Sequence, residues 1–234
     1  MTDTGEALTD ALRLIARFDG DLVKIVALSL QVSLAAVTVA VLIGMPLGAA
    51  LALFRFPGRH AVIVLVNAFM GLPPVVVGLI VYLLLSRAGP LGTLGLLFTP
   101  TAMIVAQTIL VLPIVAALTR QTVADLWREY EDQLRSLGAG PGRAVWTLLW
   151  DGRFSLLTAV LAGFGRASAE VGAVMIVGGN IDHATRVMTT AIALEVSKGD
   201  LALALALGLL LIVLSTAING AAYLIREVAA RRHG

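Results

Sequence analysis

The chain has 234 residues, of which 59% are hydrophobic and 14% charged, with a formal charge of +2. Soluble globular chains run near a quarter charged, so this composition is that of an integral membrane protein. The lack of cysteine excludes disulfides and thiolate metal sites, and His60, His183 and His233 lie too far apart to suggest a histidine metal site.

Residues 1–24 mix Asp3, Glu6, Asp10, Asp19 and Asp21 with Arg13 and Arg17, while Leu8, Leu12 and Ile15 keep a rough helical spacing. This reads as a short helix on the membrane surface, and not as a signal peptide, because a basic start and a small-residue cleavage site are both missing. No charge occurs between Ile25 and Phe54. A bilayer core needs only about 20 helical residues, so the first span is placed at 25–54. Near its end Gly44 and Gly48 flank Pro46, a pattern that permits close helix packing and a bend. The loop after it carries Arg55 and Arg59 and is expected to be cytoplasmic.

The second span, 61–85, is interrupted by Gly71-Leu72-Pro73-Pro74. Proline there frees carbonyls that hydrocarbon cannot satisfy, so the break should face protein or a water-filled path, and Pro73 is a candidate path residue. Residues 88–100, rich in glycine and proline, read as an external loop with a re-entrant or interfacial piece. The third span, 101–118, contains Leu112-Pro113 and Gln107, a further candidate for the path.

Residues 120–153 form the one long polar island. Five arginines (Arg120, Arg128, Arg135, Arg143, Arg153) meet five acids (Asp125, Glu129, Glu131, Asp132, Asp151), a balance unlike a nucleic-acid-binding patch. Val123, Leu126, Trp127, Tyr130, Leu134 and Leu137 share one helical face, and Asp125, Arg128, Glu129, Asp132 and Arg135 another. Gly138-Ala139-Gly140-Pro141-Gly142 ends that helix. A second apolar run follows, with Trp146 and Trp150 suited to a membrane interface. The expected island is helix, glycine elbow, helix, lying at the membrane surface; its bland reading is a solvated loop joining two spans.

In the fourth span, 155–174, Arg166 and Glu170 stand four apart with Ser168 between them. Each charge costs roughly 2.5–3.5 kcal/mol at a bilayer centre, so both should face a partner or water. They are either a neutralising pair on one helical face that fixes packing, or the lining of a polar path. Residues 178–183 form a turn cluster, residues 186–197 a moderately polar helix, residues 201–224 the fifth span and residues 225–234 a tail. With the island inside, cytoplasmic segments hold ten Lys or Arg against six outside, which places the N-terminus outside and the C-terminus in the cytoplasm.

No Gly-x-x-x-x-Gly-Lys-Ser/Thr loop and no Gly-x-Ser-x-Gly elbow occurs. The chain is not expected to be an enzyme or to bind a cofactor, and any ATP it uses must be hydrolysed by a separate subunit.

Asp132-Gln133-Leu134, followed after three residues by Gly138, resembles the coupling motif of ABC importer permeases of the molybdate/methionine-importer type, a Glu-Ala-Ala triplet with glycine at that spacing. The acid here is one methylene shorter, both alanines are replaced, and Leu148-Leu149-Trp150-Asp151 stands where the family has Ile-x-Leu-Pro. Ser29-Leu30-Gln31-Val32-Ser33-Leu34, the Gly44–Gly48 stretch, Leu72-Pro73-Pro74-Val75-Val76-Val77-Gly78 and the island together resemble the whole five-helix core of such permeases. Ala162-Gly163-Phe164-Gly165-Arg166-Ala167, Glu170-Val171-Gly172-Ala173, Val177-Gly178-Gly179-Asn180-Ile181 and the run from Thr185 to Glu195 are similar to tungstate importer permeases of the same superfamily.

The resemblance implies an all-α inner-membrane permease of the type I importer fold. Its permease domain is 25–224, between an N-terminal surface segment and a cytoplasmic tail. It implies a second copy of the chain, two cytoplasmic ABC ATPases carrying ATP and magnesium, an external oxyanion-binding protein, membrane lipid, and tungstate or molybdate as cargo. Asp125, Leu126, Trp127, Tyr130, Glu131, Asp132, Leu134 and Gly138 are then the expected ATPase-coupling residues. Arg166, with Glu170 holding its side chain, Ser168, Pro73 and Gln107 are the expected translocation path. A secondary transporter or a channel subunit for a small anion is the alternative.

Overall fold

The computed structural model describes residues 4–17 and 20–233. Of the charges counted above, Asp3 and Asp19 lie outside the described residues, as do the side chains of Arg226, Arg231 and Arg232. The described residues form ten α-helices and one 3-10 turn, with no strand: α1 (Thr4–Ala16), α2 (Gly20–Leu53), α3 (Arg59–Phe69), α4 (Pro74–Leu85), the turn Gly92–Leu94, α5 (Pro100–Ser136), α6 (Pro141–Asp151), α7 (Arg153–Ser168), α8 (Gly172–Gly178), α9 (Met188–Lys198) and α10 (Leu201–His233). By length and composition α2, α5 and α10 are each able to cross a membrane, and counting the broken pairs α3–α4 and α7–α8 as one span each brings the number to five. Five is the number expected from the sequence.

Two boundaries differ from the expectation. The third span does not stop at residue 118: α5 runs unbroken for 37 residues and carries the island's first helix as its own continuation. Between Thr119 and Ser136 there is neither glycine nor proline, and Ala, Leu, Arg, Gln and Glu are good helix formers, so nothing ends the ladder before Gly138. At 1.5 Å per residue the helix is about 55 Å long, well beyond a hydrocarbon core of about 30 Å. The tail at 225–233 likewise continues α10 and is not a separate segment.

The chain packs as two units. One comprises Met1–Ala35, Pro73–Gln107 and Ser168–Ile218; the other comprises Ala36–Leu72, Thr108–Ala167 and Asn219–Gly234. In the first, Ala11 of α1 is buried with Leu22, Met188, Ala191, Ala206 and Leu207, and Leu14 and Ile15 pack beside it. So α1 docks into a core through Ala11, Leu14 and Ile15, whereas Leu8 and Leu12 of the expected apolar face are exposed. Helix α4 lies directly on α8, where a Cβ on Gly78 would stand 2.8 Å from the Ala173 Cα. Residues 86–99 are held by Leu91 N–H donating to Leu84 O (3.0 Å) and Phe98 N–H donating to Val177 O (2.9 Å). The loop between α8 and α9 closes through hydroxyls: Thr185 Oγ1 accepts from Ile181 N–H, and Ser29 Oγ accepts from Met188 N–H at 2.7 Å.

In the second unit α2 and α5 touch backbone to backbone. A Cβ on Gly44 would meet Val115 at 3.1 Å, and one on Gly48 would stand 2.4 Å from the Ala116 carbonyl oxygen. The glycines flanking Pro46 therefore serve close packing, and α2 continues through the proline. Gly163 of α7 reaches Val111 of α5 in the same way. Arg59 closes the end of α2, its Nε donating to Leu51 O (2.7 Å) and its Nη2 to Ala52 O (3.1 Å), a cation placed on carbonyls that have no partner in the helix.

Gly48→Ala tests the α2–α5 contact. It should lower stability by about 1–3 kcal/mol, seen as a lower unfolding temperature in detergent. Gly20→Ala, with no atom within 4 Å of the added Cβ, is the control; equal melting of the two variants would refute the close approach.

Candidate coupling and translocation sites

The coupling candidates lie on the end of α5 and the elbow after it. Helix α5 stops in a Schellman turn, with Ala139 N–H donating to Leu134 O (2.9 Å) and Gly138 N–H to Arg135 O (3.0 Å). Gly138 itself has φ +71°, a conformation in which any Cβ is strained. Gly140 then leads into Pro141, which starts α6 where a missing N–H costs nothing.

The expected coupling residues divide by environment. Leu126, Trp127, Tyr130 and Leu134 are partly buried against Ala49, Leu53, Val123, Ala144, Val145 and Leu148, so they pin the end of α5 to α2 and α6. Asp125, Asp132 and Gly138 are exposed. Asp125 pairs with Arg128, and Glu131 pairs with Arg135 at 2.5 Å. Leu137, expected with the buried face, is 81% exposed, because it is the last residue before the turn and the chain swings away there. The Tyr130 phenol is held above its usual range by its hydrogen bond to Glu129, with the Glu129 and Asp151 charges adding to it, and so stays neutral. Two clefts flank the elbow, one between Tyr130, Leu134, Leu137, Thr147 and Trp150, the other between Phe54, Arg55, Trp127, Glu131, Arg135 and Pro141.

The path candidates sit at helix ends and breaks. Arg166 and Ser168 are half-buried in the last turn of α7, and Gln107 is buried within α5. Glu170 is not on the same helix as Arg166: α7 ends at Ser168, and Glu170 lies in the break before α8. The two residues expected on one helical face are thus separated by the end of α7. The Glu170 carboxylate, 3% exposed, accepts the Ala173 N–H at 2.9 Å and so caps α8, an anion at the positive end of the helix. Its carbonyl accepts from Thr189 Oγ1 at 2.8 Å, which ties the break to α9. A Cβ on Gly172 would stand 2.9 Å from Val75 Cγ2 and 3.6 Å from Glu170 Oε1, so the break sits against the start of α4. Pro73, exposed, opens that helix, and its carbonyl accepts from Val76 and Val77. At the α3 end of the same interruption Met70, Gly71 and Leu72 N–H donate to Asn67, Ala68 and Phe69 O. The Asn67, Ala68 and Phe69 carbonyls at the end of α3 are therefore satisfied within the turn.

Sequence reasoning missed Gly152, Arg59 and Arg153. A Cβ on Gly152 would lie 2.7 Å from Leu126 Cδ1, which makes the joint of α6 and α7 a position for glycine. The basic residue just past α2 was the available signal for Arg59. Arg153, whose guanidinium lies over the rings of Trp150 (4.9 Å) and Phe154 (4.5 Å), had only its spacing from Trp150 to mark it.

Residues 44–227 match the family described as the binding-protein-dependent transport system inner membrane component. The chain is 40% identical over 218 residues to a probable anion ABC transporter permease protein of Haloferax volcanii, covering 91% of this chain and 94% of that protein. It is 40% identical over 222 residues to a tungstate uptake system permease protein of Peptoclostridium acidaminophilum, covering 95% and 97%, and 42% identical over 166 residues to one of Campylobacter jejuni, covering 71% and 70%. The chain belongs to the family of inner-membrane components of binding-protein-dependent transport systems. It is a multi-pass permease subunit of an ABC importer and not an enzyme; an ATPase and a substrate-binding protein are its partners by family. This closes the secondary-transporter and channel readings.

Glu170→Ala should leave the Ala173 N–H buried without an acceptor, at a cost of about 1–3 kcal/mol, whereas Glu170→Gln keeps a carbonyl oxygen in place. Thermal unfolding of both variants checks this; equal loss in the two would mean that charge, and not the cap, is what the position requires.

Proposed function

We propose that this chain carries tungstate, or the closely similar molybdate oxyanion, across the inner membrane as one half of a homodimeric permease. The observation that carries the reading is 40% identity, over nearly the whole of both chains, to a protein named as a tungstate uptake permease. The N-terminus is outside and the C-terminus in the cytoplasm, as the Lys and Arg bias requires. ATP and magnesium are held by two ATPase subunits and none by this chain. The region 120–153 couples to them, with Asp132 and Gly138 toward the exposed tip, Asp125 and Glu131 on the polar side of α5 nearer its base, and Leu126, Trp127, Tyr130 and Leu134 as its packed support.

The physics supports a lever. From Thr119 to Ser136 helix α5 projects roughly 27 Å beyond the third span with no break, so a push on the tip reaches the membrane helix without being absorbed in a joint. Along the pathway Arg166 supplies positive field for a doubly charged oxyanion. Ser168, Gln107 and Pro73 line the route, and Glu170 fixes the backbone beside it.

The test is uptake and complex formation in one strain background. The wild type should co-purify with an ATPase subunit and a second tagged copy of itself, and should accumulate tungstate. Arg166→Ala should lose most uptake while keeping the complex. Gly138→Ala, strained by about 1–2 kcal/mol, should weaken ATPase association and uptake together. Unchanged uptake in Arg166→Ala removes that residue from the path, and intact association in Gly138→Ala removes the elbow from the coupling contact.

A further inference from the structure

Helix α6 has a face that the coupling role does not use. Ala144, Val145 and Leu148 are buried, whereas Trp146 and Trp150 are 69% and 72% exposed. Arg143, Trp146, Trp150 and Arg153 follow one another at steps of three, four and three, and so share one side of the helix and its joint with α7. Arg153 is held there: its Nη1 donates to Trp150 O at 2.7 Å, and its guanidinium lies over the rings of Trp150 and Phe154.

The depth of this face follows from the joint. A Cβ on Gly152 would contact Leu126 at 2.7 Å and Thr122 at 3.7 Å, so the joint is level with the Thr122–Leu126 turn of α5. That turn comes directly after Arg120, the first charge on α5, where the helix leaves hydrocarbon. Arg153 is also the first residue of α7, which re-enters it. Trp150 and Arg153 therefore stand at headgroup depth, while the tip at Leu137–Gly140 is the part farthest from the bilayer. Exposed indole rings with guanidinium groups beside them match the chemistry of that layer: the ring sits half wet, and the cation pairs with phosphate. The exposed Asp151 lies one position off this face.

We propose that Trp150, Arg153 and Phe154, with Trp146 and Arg143 beyond them, form a seat for the headgroup of an anionic phospholipid, which sets the depth of the α5–α6 lever. The inference rests on the cytoplasmic placement of the island proposed above. The lipid supplies a phosphodiester to Arg153 and an interfacial bed for the two indoles; the ATPase meets the tip and not this face.

The test uses the permease, with and without its ATPase, in nanodiscs of phosphatidylcholine containing brominated phosphatidylglycerol. Tryptophan emission should be quenched in the wild type and largely spared in the Trp146→Phe/Trp150→Phe variant. Native mass spectrometry should find phosphatidylglycerol retained on the wild type. Arg153→Gln should reduce retention about fivefold, the factor expected for one cation at an anionic surface, and Arg153→Lys should restore part of it. Arg143→Gln, an exposed position with no role in closing α6, provides a second reading in case Arg153→Gln unfolds the joint, and should also lower retention. Unquenched tryptophans, or equal retention in all variants, overturn the seat. Quenching that disappears when ATPase is added shows that protein covers this face and overturns it too. The lipid measurements need no ATPase, so their failure in a permease that still assembles with its ATPase leaves the coupling reading standing.

Discussion

An unbroken helix that leaves the membrane has to be fixed where it leaves, or its outer part would bend freely. In this protein the fixing contact is the close approach of α2 to α5, where Gly44 and Gly48 bring backbone against the Leu112–Arg120 stretch. Small residues matter more in lipid than in water, because association of apolar helices gains nothing from excluding water and depends on packing distance. Everything outside the hydrocarbon is built on that anchor: Val123 and Leu126 continue the packed side of α5, α6 lies against them through Ala144 and Leu148, and Gly152 returns the chain to α7.

The second governing constraint is that backbone polar groups in hydrocarbon must be satisfied by the protein itself. Both interrupted spans meet it locally, in different ways. Between α3 and α4 the turn's own N–H groups take the Asn67, Ala68 and Phe69 carbonyls, and the Pro73 carbonyl accepts from Val76 and Val77. Between α7 and α8 a side chain does the work, the Glu170 carboxylate taking the Ala173 N–H while Thr189 covers the Glu170 carbonyl. A carboxylate that costs several kcal/mol in lipid is tolerated there because it faces a helix N-terminus. Its presence beside the break thus has a structural reason in the Ala173 N–H that it accepts.

The polar island combines these two devices. Its buried side is ordinary core packing, and its ending is a backbone turn that glycine alone adopts without strain. The exposed side divides into the tip around Leu137 and the face of α6 that carries Trp146 and Trp150. An extension without a break, packed at its base on α2 and at its side on α6, has few joints at which to bend.

The sequence by itself determined the class of protein, its all-helical character and the helix–elbow–helix form of the island. These depend on local properties: hydrophobic length against bilayer thickness, the period of apolar positions, and glycine and proline as stops. The oxyanion-permease resemblance was legible for the same reason, being carried by contiguous motifs. What only the tertiary structure decided were features set by neighbours distant in the chain. Leu8, Leu12 and Ile15 had the spacing of one apolar face, yet of these only Ile15, together with Ala11 and Leu14, joins the core that holds Leu22, Met188, Ala191, Ala206 and Leu207. Arg166 and Glu170 stand at helical spacing, but helix α7 ends between them, because closing the break against the start of α4 takes the Glu170 carboxylate to cap α8. Pattern along a chain gives the period of an element; which side of it is buried, and what a charge is facing, are fixed by the elements that come to lie against it.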